Sequence, residues 1–163
     1  MTRRKFIKGA NATAVGAAVA QSEGKAARGG QSRQKSKSSK RAVSGGNLPK
    51  PAGPYSHAIV AGNTIYVAGQ GPFDPRTGKM SASFEEQAAQ VLENIKAVVE
   101  AAGATLADVA KVNVYLADLN NFAKMNEVYK RYFPEPYPAR ATICAQLLGG
   151  MGIEIECIAV KGS

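Results

Sequence analysis

The chain has 163 residues, 45% of them hydrophobic, enough for one domain with a real core and an extension but not for two full domains. Its formal charge of +9 is unevenly placed: residues 1–48 hold eleven Lys and Arg against one acid, Glu23, and residues 49–163 hold ten against eleven Asp and Glu. The basic character belongs to the N-terminal segment, and the remainder lacks the basic face that phosphate binding requires, so nucleic acid is not expected as a partner of the domain.

Residues 2–8, Thr-Arg-Arg-Lys-Phe-Ile-Lys, match the twin-arginine export consensus. A modest apolar stretch from Gly9 to Ala20 follows and ends in Ala18-Val19-Ala20, a small-x-small cleavage pattern. Residues 1–20 therefore read as an export segment and the chain as periplasmic or secreted. The stretch is too short and too rich in Ala and Gly for a permanent membrane span. The alternative is an ordinary disordered basic N-terminus on a cytoplasmic protein. Residues 21–47 carry Gly, Ser, Lys, Arg and Gln with little that is apolar, and read as a disordered linker, because such a segment buries too little surface to offset its ordering entropy.

The domain is expected over residues 48–163. Ser56 to Ala61 and Thr64 to Gln70 flank Gly62-Asn63 and predict a β-hairpin. Asp74 to Gly78 is a surface turn. Phe84, Ala88, Val91, Leu92, Ile95, Val98, Val99 and Ala102 form one apolar stripe of a helix. Ser83 and Glu86 suggest a capping box, Gly103 a left-handed stop, and the Glu and Gln residues are expected to face water. Val112 to Leu116 alternates as a strand. Asn120 or Asn121 caps a second helix with Phe122, Met125, Tyr129 and Tyr132 on one side, ended by Pro134, Pro136 and Pro138. Ala139 to Leu147 and Ile153 to Val160 are two more strands, joined by Gly149-Gly150-Met151-Gly152. Cys144 and Cys157 match neither a zinc nor a C-x-x-C spacing and are expected to be buried free thiols.

Strands separated by helices imply crossovers, so the fold class is α+β: a mixed sheet with two helices on one face. Residues such as Ile158 and Val160 on the other face call for cover, which self-association would supply, so a homo-oligomer is expected.

Several catalytic designs are excluded. There is no P-loop, no dinucleotide fingerprint and no nucleophile elbow, and a single histidine with two strand cysteines makes a metal site improbable. What remains is a polar set inside apolar strands. Arg140 enters the strand Ala-Thr-Ile-Cys-Ala and needs an anionic partner, either an internal acid or the carboxylate of a ligand held by a two-pronged guanidinium grip. Glu154 and Glu156 share one face of the last strand. Each is either solvated or structurally paired, or an acid that activates water in an enclosed cleft. Tyr55 and Asn126 are further candidates for lining a pocket.

The same residues carry a family resemblance. Gly53-Pro54-Tyr55-Ser56-His57-Ala58, Val67-Ala68-Gly69-Gln70, Gln87 to Asn94, Lys111 to Leu116, Asn126-Glu127-Val128-Tyr129, Tyr137-Pro138-Ala139-Arg140 and Ile153-Glu154-Ile155-Glu156 run in order from about Leu48 to Lys161. Together they resemble the Rid (YjgF-type) family of enamine and imine deaminases. The resemblance implies a chorismate-mutase-like fold, a homotrimer with three clefts between subunits, and hydrolysis of 2-imino acids to 2-keto acids and ammonia without cofactor or metal. It implies that Arg140 binds the substrate carboxylate, that Tyr55 and Asn126 line the cleft, that the backbone of Gly69 contacts the ligand, and that Glu154 positions the attacking water. The sequence departs from the pattern at His57, where Gln is common, and at Thr142, where many members carry Cys. The loop from Leu148 to Gly152 is about one residue short, and the export segment is foreign to the mostly cytosolic family. Two rivals stand beside this reading: a trimer that captures small carboxylates, or acts as a chaperone-like surface, without catalysis, and an RNA-cleaving translation inhibitor.

Overall fold

The computed structural model describes residues 40–44, 48 and 51–162. The expected export segment and most of the expected linker lie outside the described residues. Six strands form one sheet: β1 (Arg41–Ala42), β2 (Ala58–Ala61), β3 (Thr64–Gln70), β4 (Val109–Leu116), β5 (Ala139–Cys144) and β6 (Ile153–Val160). Two α-helices, α1 (Phe84–Ala101) and α2 (Phe122–Tyr129), lie among the described residues. The spatial order is β1-β2-β3-β6-β4-β5, with β4 and β5 parallel and every other neighbouring pair antiparallel. The mixed α+β sheet is thus as expected.

The sheet begins earlier than residue 48. Arg41 and Ala42 pair with Val60 and Ile59, and the Val43 side chain is buried in the core. Three residues assigned to the linker on composition are therefore part of the domain, because an edge strand takes its stability from the backbone ladder rather than from its own side chains.

The stripe on α1 buries as expected: Ala88, Val91, Leu92, Ile95, Val98, Val99 and Ala102 join Ile65, Val112, Val114, Leu116, Ile153 and Ile155 in one core. Truncating a fully buried member such as Ile95 to Ala is worth about 2–5 kcal/mol. The Ser83 hydroxyl accepts from the Glu86 N–H at 3.4 Å. The Glu86 carboxylate does not return the bond but accepts from Ser81, so the box is half formed. Gly103 at φ +85° takes the left-handed turn that ends the helix.

Other boundaries shift. The second helix stops at Tyr129, and Asn121 holds its N-cap position but makes no side-chain capping bond; the turn that leads into it, Leu119–Asn121, is capped by Asp118, which accepts from the Asn120 N–H at 2.9 Å. The fifth strand ends at Cys144, and that cysteine is exposed rather than buried because β5 is the sheet edge; Cys157, on central β6, is buried as expected. Burial pushes the Cys157 thiol up to about 12.

Strict alternation along β6 sends Ile153, Ile155, Cys157 and Ala159 to the helix side and Glu154, Glu156, Ile158 and Val160 to the other. On that second face Ile59, Tyr66, Ile158 and Lys111 lie in one cross-strand row, and Tyr66 and Ile143 are each half exposed. Both helices pack on the other face, so among the described residues neither covers this one.

Candidate active site

One part of the candidate site is a cleft of about 830 Å³ at the end of β3 and β6, lined among others by Tyr55, His57, Gly69, Phe73, Met151 and Glu154. It exists because β3 breaks register. Val67 pairs with Cys157, but pairing resumes only at Gln70 with Ile155, so Ala68 and Gly69 bulge out of the ladder. Gly69 then lies directly beneath Glu154. A Cβ there would overlap Glu154 Oε1, so only glycine allows the carboxylate to occupy this place.

The two acids of β6 have different environments. Glu156 Oε1 accepts from Asn113 Nδ2 at 2.8 Å and from the Tyr115 hydroxyl at 2.9 Å. That is the structural reading. Glu154 carries no side-chain hydrogen bond or ion pair among the described residues. Burial, and then the neighbouring charge of Glu156, raise its pKa above the ordinary carboxylate value. Tyr55 closes the cleft from outside, its hydroxyl accepting from the Ala52 N–H at 3.1 Å and its ring edge-on to His57 at 6.3 Å. His57 is buried, with Nδ1 3.5 Å from Gln70 Nε2.

Gln87 was expected to face water with the other Glu and Gln residues of α1, yet it is buried, as is Asn94. Gln87 Nε2 donates to Ser81 O at 2.7 Å, and its Oε1 accepts from the Gly152 N–H at 2.8 Å. Asn94 Nδ2 donates to Gly71 O and to Phe73 O, both at 2.9 Å, and its Oδ1 accepts from Gln90 at 2.9 Å. The missed signal was spacing: two amides seven residues apart, each four residues before a stripe position, Val91 and Val98.

The other part lies on β5, at a sheet edge. Arg140 pairs with Val112 in the ladder and therefore shares the helix-side face, where α2 packs. Its Nη2 donates to Asn126 Oδ1 at 2.7 Å and Nη1 to Met125 Sδ at 3.7 Å. The guanidinium lies 4.7 Å from the Tyr129 ring centroid and 5.8 Å from that of Phe122. No carboxylate lies within ion-pair distance among the described residues, so of the two partners open to Arg140 the internal acid is not found there. Two nearby hydroxyls, Tyr129 on α2 and Thr142 two residues along β5, are buried without a partner among the described residues. Burial pushes the Tyr129 phenol up to about 12, against the opposing pull of Arg140.

Tyr55, Gly69 and Glu154 thus meet in one place, and Asn126 and Arg140 in another. The two sets do not converge within one protomer. Arg140 and Glu154 point to opposite sheet faces, with β4 between their strands. Val112 marks the Arg140 row and Tyr115 the Glu154 row, three residues apart. That is roughly 10 Å across the sheet and about 10 Å along it.

Fold and site together define a class: a small α+β protein with a sheet face that neither helix covers, a half-buried carboxylate at one end and, at the edge, a guanidinium without a carboxylate partner among the described residues. Residues 45–161 match the family described as Endoribonuclease L-PSP, and the chain belongs to that family, whose members also bear RutC and Rid names. It is 56% identical over 117 residues to a RutC family protein of Pyrococcus horikoshii, covering 71% of this chain and 93% of that one. It is 43% identical over 125 residues to a 2-iminobutanoate/2-iminopropanoate deaminase of Dermatophagoides farinae, covering 76% and 98%. The crystal structure of RidA from an Antarctic Psychrobacter superposes with a TM-score of 0.72 at 46% identity, covering 74% of this chain and 98% of that one.

Proposed function

We propose that this chain hydrolyses 2-imino acids to 2-keto acids and ammonia, in clefts formed where protomers of a homotrimer meet. The observation that carries the reading is Arg140: a half-buried guanidinium held by an amide and two aromatic rings, with no carboxylate of its own among the described residues. Such a group is ready to take a ligand carboxylate in two charge-assisted hydrogen bonds.

The uncovered sheet face supplies the reason for assembly. Tyr66, Ile143 and Ile158 gain by leaving water, each by about 1.5–3 kcal/mol at full burial. Docking this face on a neighbour's edge carries Arg140 and Asn126 of one protomer toward Glu154, Gly69 and Tyr55 of the next. The substrate then spans the junction, its carboxylate on Arg140 and its C=N carbon above Glu154.

The chemistry needs little acid–base power, because a protonated imine carbon is already electrophilic. Glu154 holds a water against that carbon and takes a proton as the C–O bond forms. The proton passes to nitrogen, Glu154 takes the remaining hydroxyl proton as the C–N bond breaks and the carbonyl forms, and ammonia leaves and recovers that proton from Glu154. Holding both reactants in place supplies most of the barrier lowering, and the carboxylate stabilises the iminium charge. The 43% identical deaminase bears the name of this activity, which supports the reading. With the excess of basic over acidic residues confined to residues 1–48, the domain has no comparable claim on RNA. We further propose that the twin-arginine segment exports the protein, so that it meets imines outside the cytoplasm.

The test is release of 2-keto acid and ammonia from imines generated by an amino-acid oxidase, with the full chain added at catalytic concentration. Faster hydrolysis than the uncatalysed rate is expected. Binding of a 2-keto acid with no acceleration would instead establish a carboxylate-binding protein, and salt-sensitive RNA cleavage would establish a ribonuclease. Fractionation of cells expressing the full chain tests export.

A further inference from the structure

The two buried amides of α1 form a device that the catalytic reading leaves unused. Residues 87 and 94 are seven apart, so they lie two turns from each other on the same side of the helix. Outside α1, their side-chain hydrogen bonds go to the loops on either side of the cleft. Asn94 ties down Gly71 and Phe73, which begin the loop leaving β3 two residues after Gly69. Gln87 ties down Ser81, at the far end of that loop, and Gly152, two residues before Glu154. Gly152 is held from the other side as well, its carbonyl accepting from the Ala117 N–H at 3.0 Å. The fit leaves no slack: a Cβ on Gly152 would stand 2.9 Å from Gln87 Oε1 and 3.2 Å from Phe84. A Cβ on Gly71 would stand 2.5 Å from Met151 Sδ.

We propose that Gln87 and Asn94 are positioning residues, which fix the two cleft walls from one rigid helix and so hold Glu154 over the bulge at Gly69. The proposal rests on the reading of Glu154 as the group that holds the attacking water. A helix is a suitable ruler because its turns are spaced rigidly, whereas the loops it ties are not. The carbonyls of Gly71, Phe73 and Ser81 and the N–H of Gly152 lie outside the strand ladder, and these amides are their hydrogen-bond partners; the Phe73–Met80 bridge closes the loop on itself, and the amides tie it to the helix. Neither amide touches the Arg140 side of the site, so substrate affinity and turnover are expected to separate.

In the full-length protein, Gln87→Ala and Asn94→Ala are expected to lower kcat by about tenfold or more, while KM and 2-keto acid affinity stay within about twofold. The titration of Glu154, followed by its side-chain carboxyl carbon resonance, is expected to move toward the ordinary glutamate range as the wall loosens and the group gains water. Gln87→Glu is the rescue. Protonated, it accepts from Gly152 N–H and donates to Ser81 O as the amide does; ionised, it opposes the Ser81 carbonyl. Its kcat relative to wild type is therefore expected to recover as pH falls.

Wild-type kcat and an unmoved Glu154 titration in both alanine variants would overturn the proposal. A loss of kcat matched by an equal rise in KM, with no acid-dependent recovery in Gln87→Glu, would also overturn it. If the alanine variants do not assemble, Gln87→Glu decides alone: acid-dependent recovery supports the proposal and its absence overturns it. If the wild type turns over no imine, the proposed function fails, and the Glu154 titration still decides whether the amides position that group.

Discussion

The cleft beside Glu154 and the edge around Arg140 are built by opposite means. The cleft lies at the ends of two central strands, where a bulge in β3 and a glycine leave room for an acid that no donor satisfies among the described residues. The arginine lies on an edge strand, wrapped by Asn126, Met125, Phe122 and Tyr129 and facing the helices. One region holds a negative group with a raised pKa, and the other a positive group without a counter-charge among the described residues. Each is incomplete in charge, and on the proposed reading one substrate held between two protomers completes both. Groups on opposite sheet faces are not brought together by rearrangement within one protomer, so a site that uses both must span two.

The largest expected effect tests the arginine half. Arg140→Ala is expected to lower kcat/KM by about 100- to 1,000-fold, as the substrate carboxylate loses its charged partner. Steady-state kinetics checks this, and an Arg140→Ala variant with full activity would leave the edge region without a role.

Glu154→Gln comes next, with kcat falling by about 100-fold and KM little changed. The pH profile sharpens the point. The folded-state pKa of Glu154 lies above its usual value, so wild-type activity is expected to decline, as pH falls, already above the ordinary glutamate range. Glu154→Gln is expected to lose that limb.

Mixing the two variants tests whether the halves belong to different protomers. Arg140→Ala and Glu154→Gln chains, unfolded together and refolded as mixed trimers, are expected to regain about a quarter of wild-type activity, because random pairing restores one intact junction in about four. Halves that worked within one protomer would give no recovery.

Gly69→Ala is expected to lower kcat by about tenfold, since the added methyl group displaces Glu154 without touching the arginine side. Binding of a 2-keto acid checks that the edge is intact.

The smallest effect is on stability. Because the folded protein raises the pKa of Glu154, it binds that proton more tightly than the unfolded chain does, and the group contributes less stability as pH rises from the unfolded value through the folded one. Glu154→Gln is therefore expected to raise Tm by about 1–3 °C at pH 7 and to leave it unchanged near pH 4. Thermal denaturation at the two pH values checks this.

Much of the architecture was legible in the residues themselves. The apolar stripe of α1, the hairpin at Gly62-Asn63, the alternation of β6 and the family motifs from residue 53 to residue 156 all record local rules, namely 3.6-residue and two-residue periods and turn chemistry. Arg140 and Glu154 were visible as charged residues in apolar strands, Tyr55 and Asn126 as polar groups that could line a pocket, and Gly69 only through the family resemblance. The sequence could not tell which side of the sheet each one faces, because that depends on register across strands far apart in the chain. Residue pattern alone could not distinguish Glu154 from Glu156, which only the family resemblance separated; in the structure Asn113 and Tyr115 reach Glu156 and not Glu154. Nor did composition reveal that Arg41 and Ala42 belong to the sheet, or that Gln87 turns inward, since both depend on a partner supplied by another segment. Periodicity is written in neighbouring residues, whereas the pairing of distant ones is settled only when the chain closes on itself.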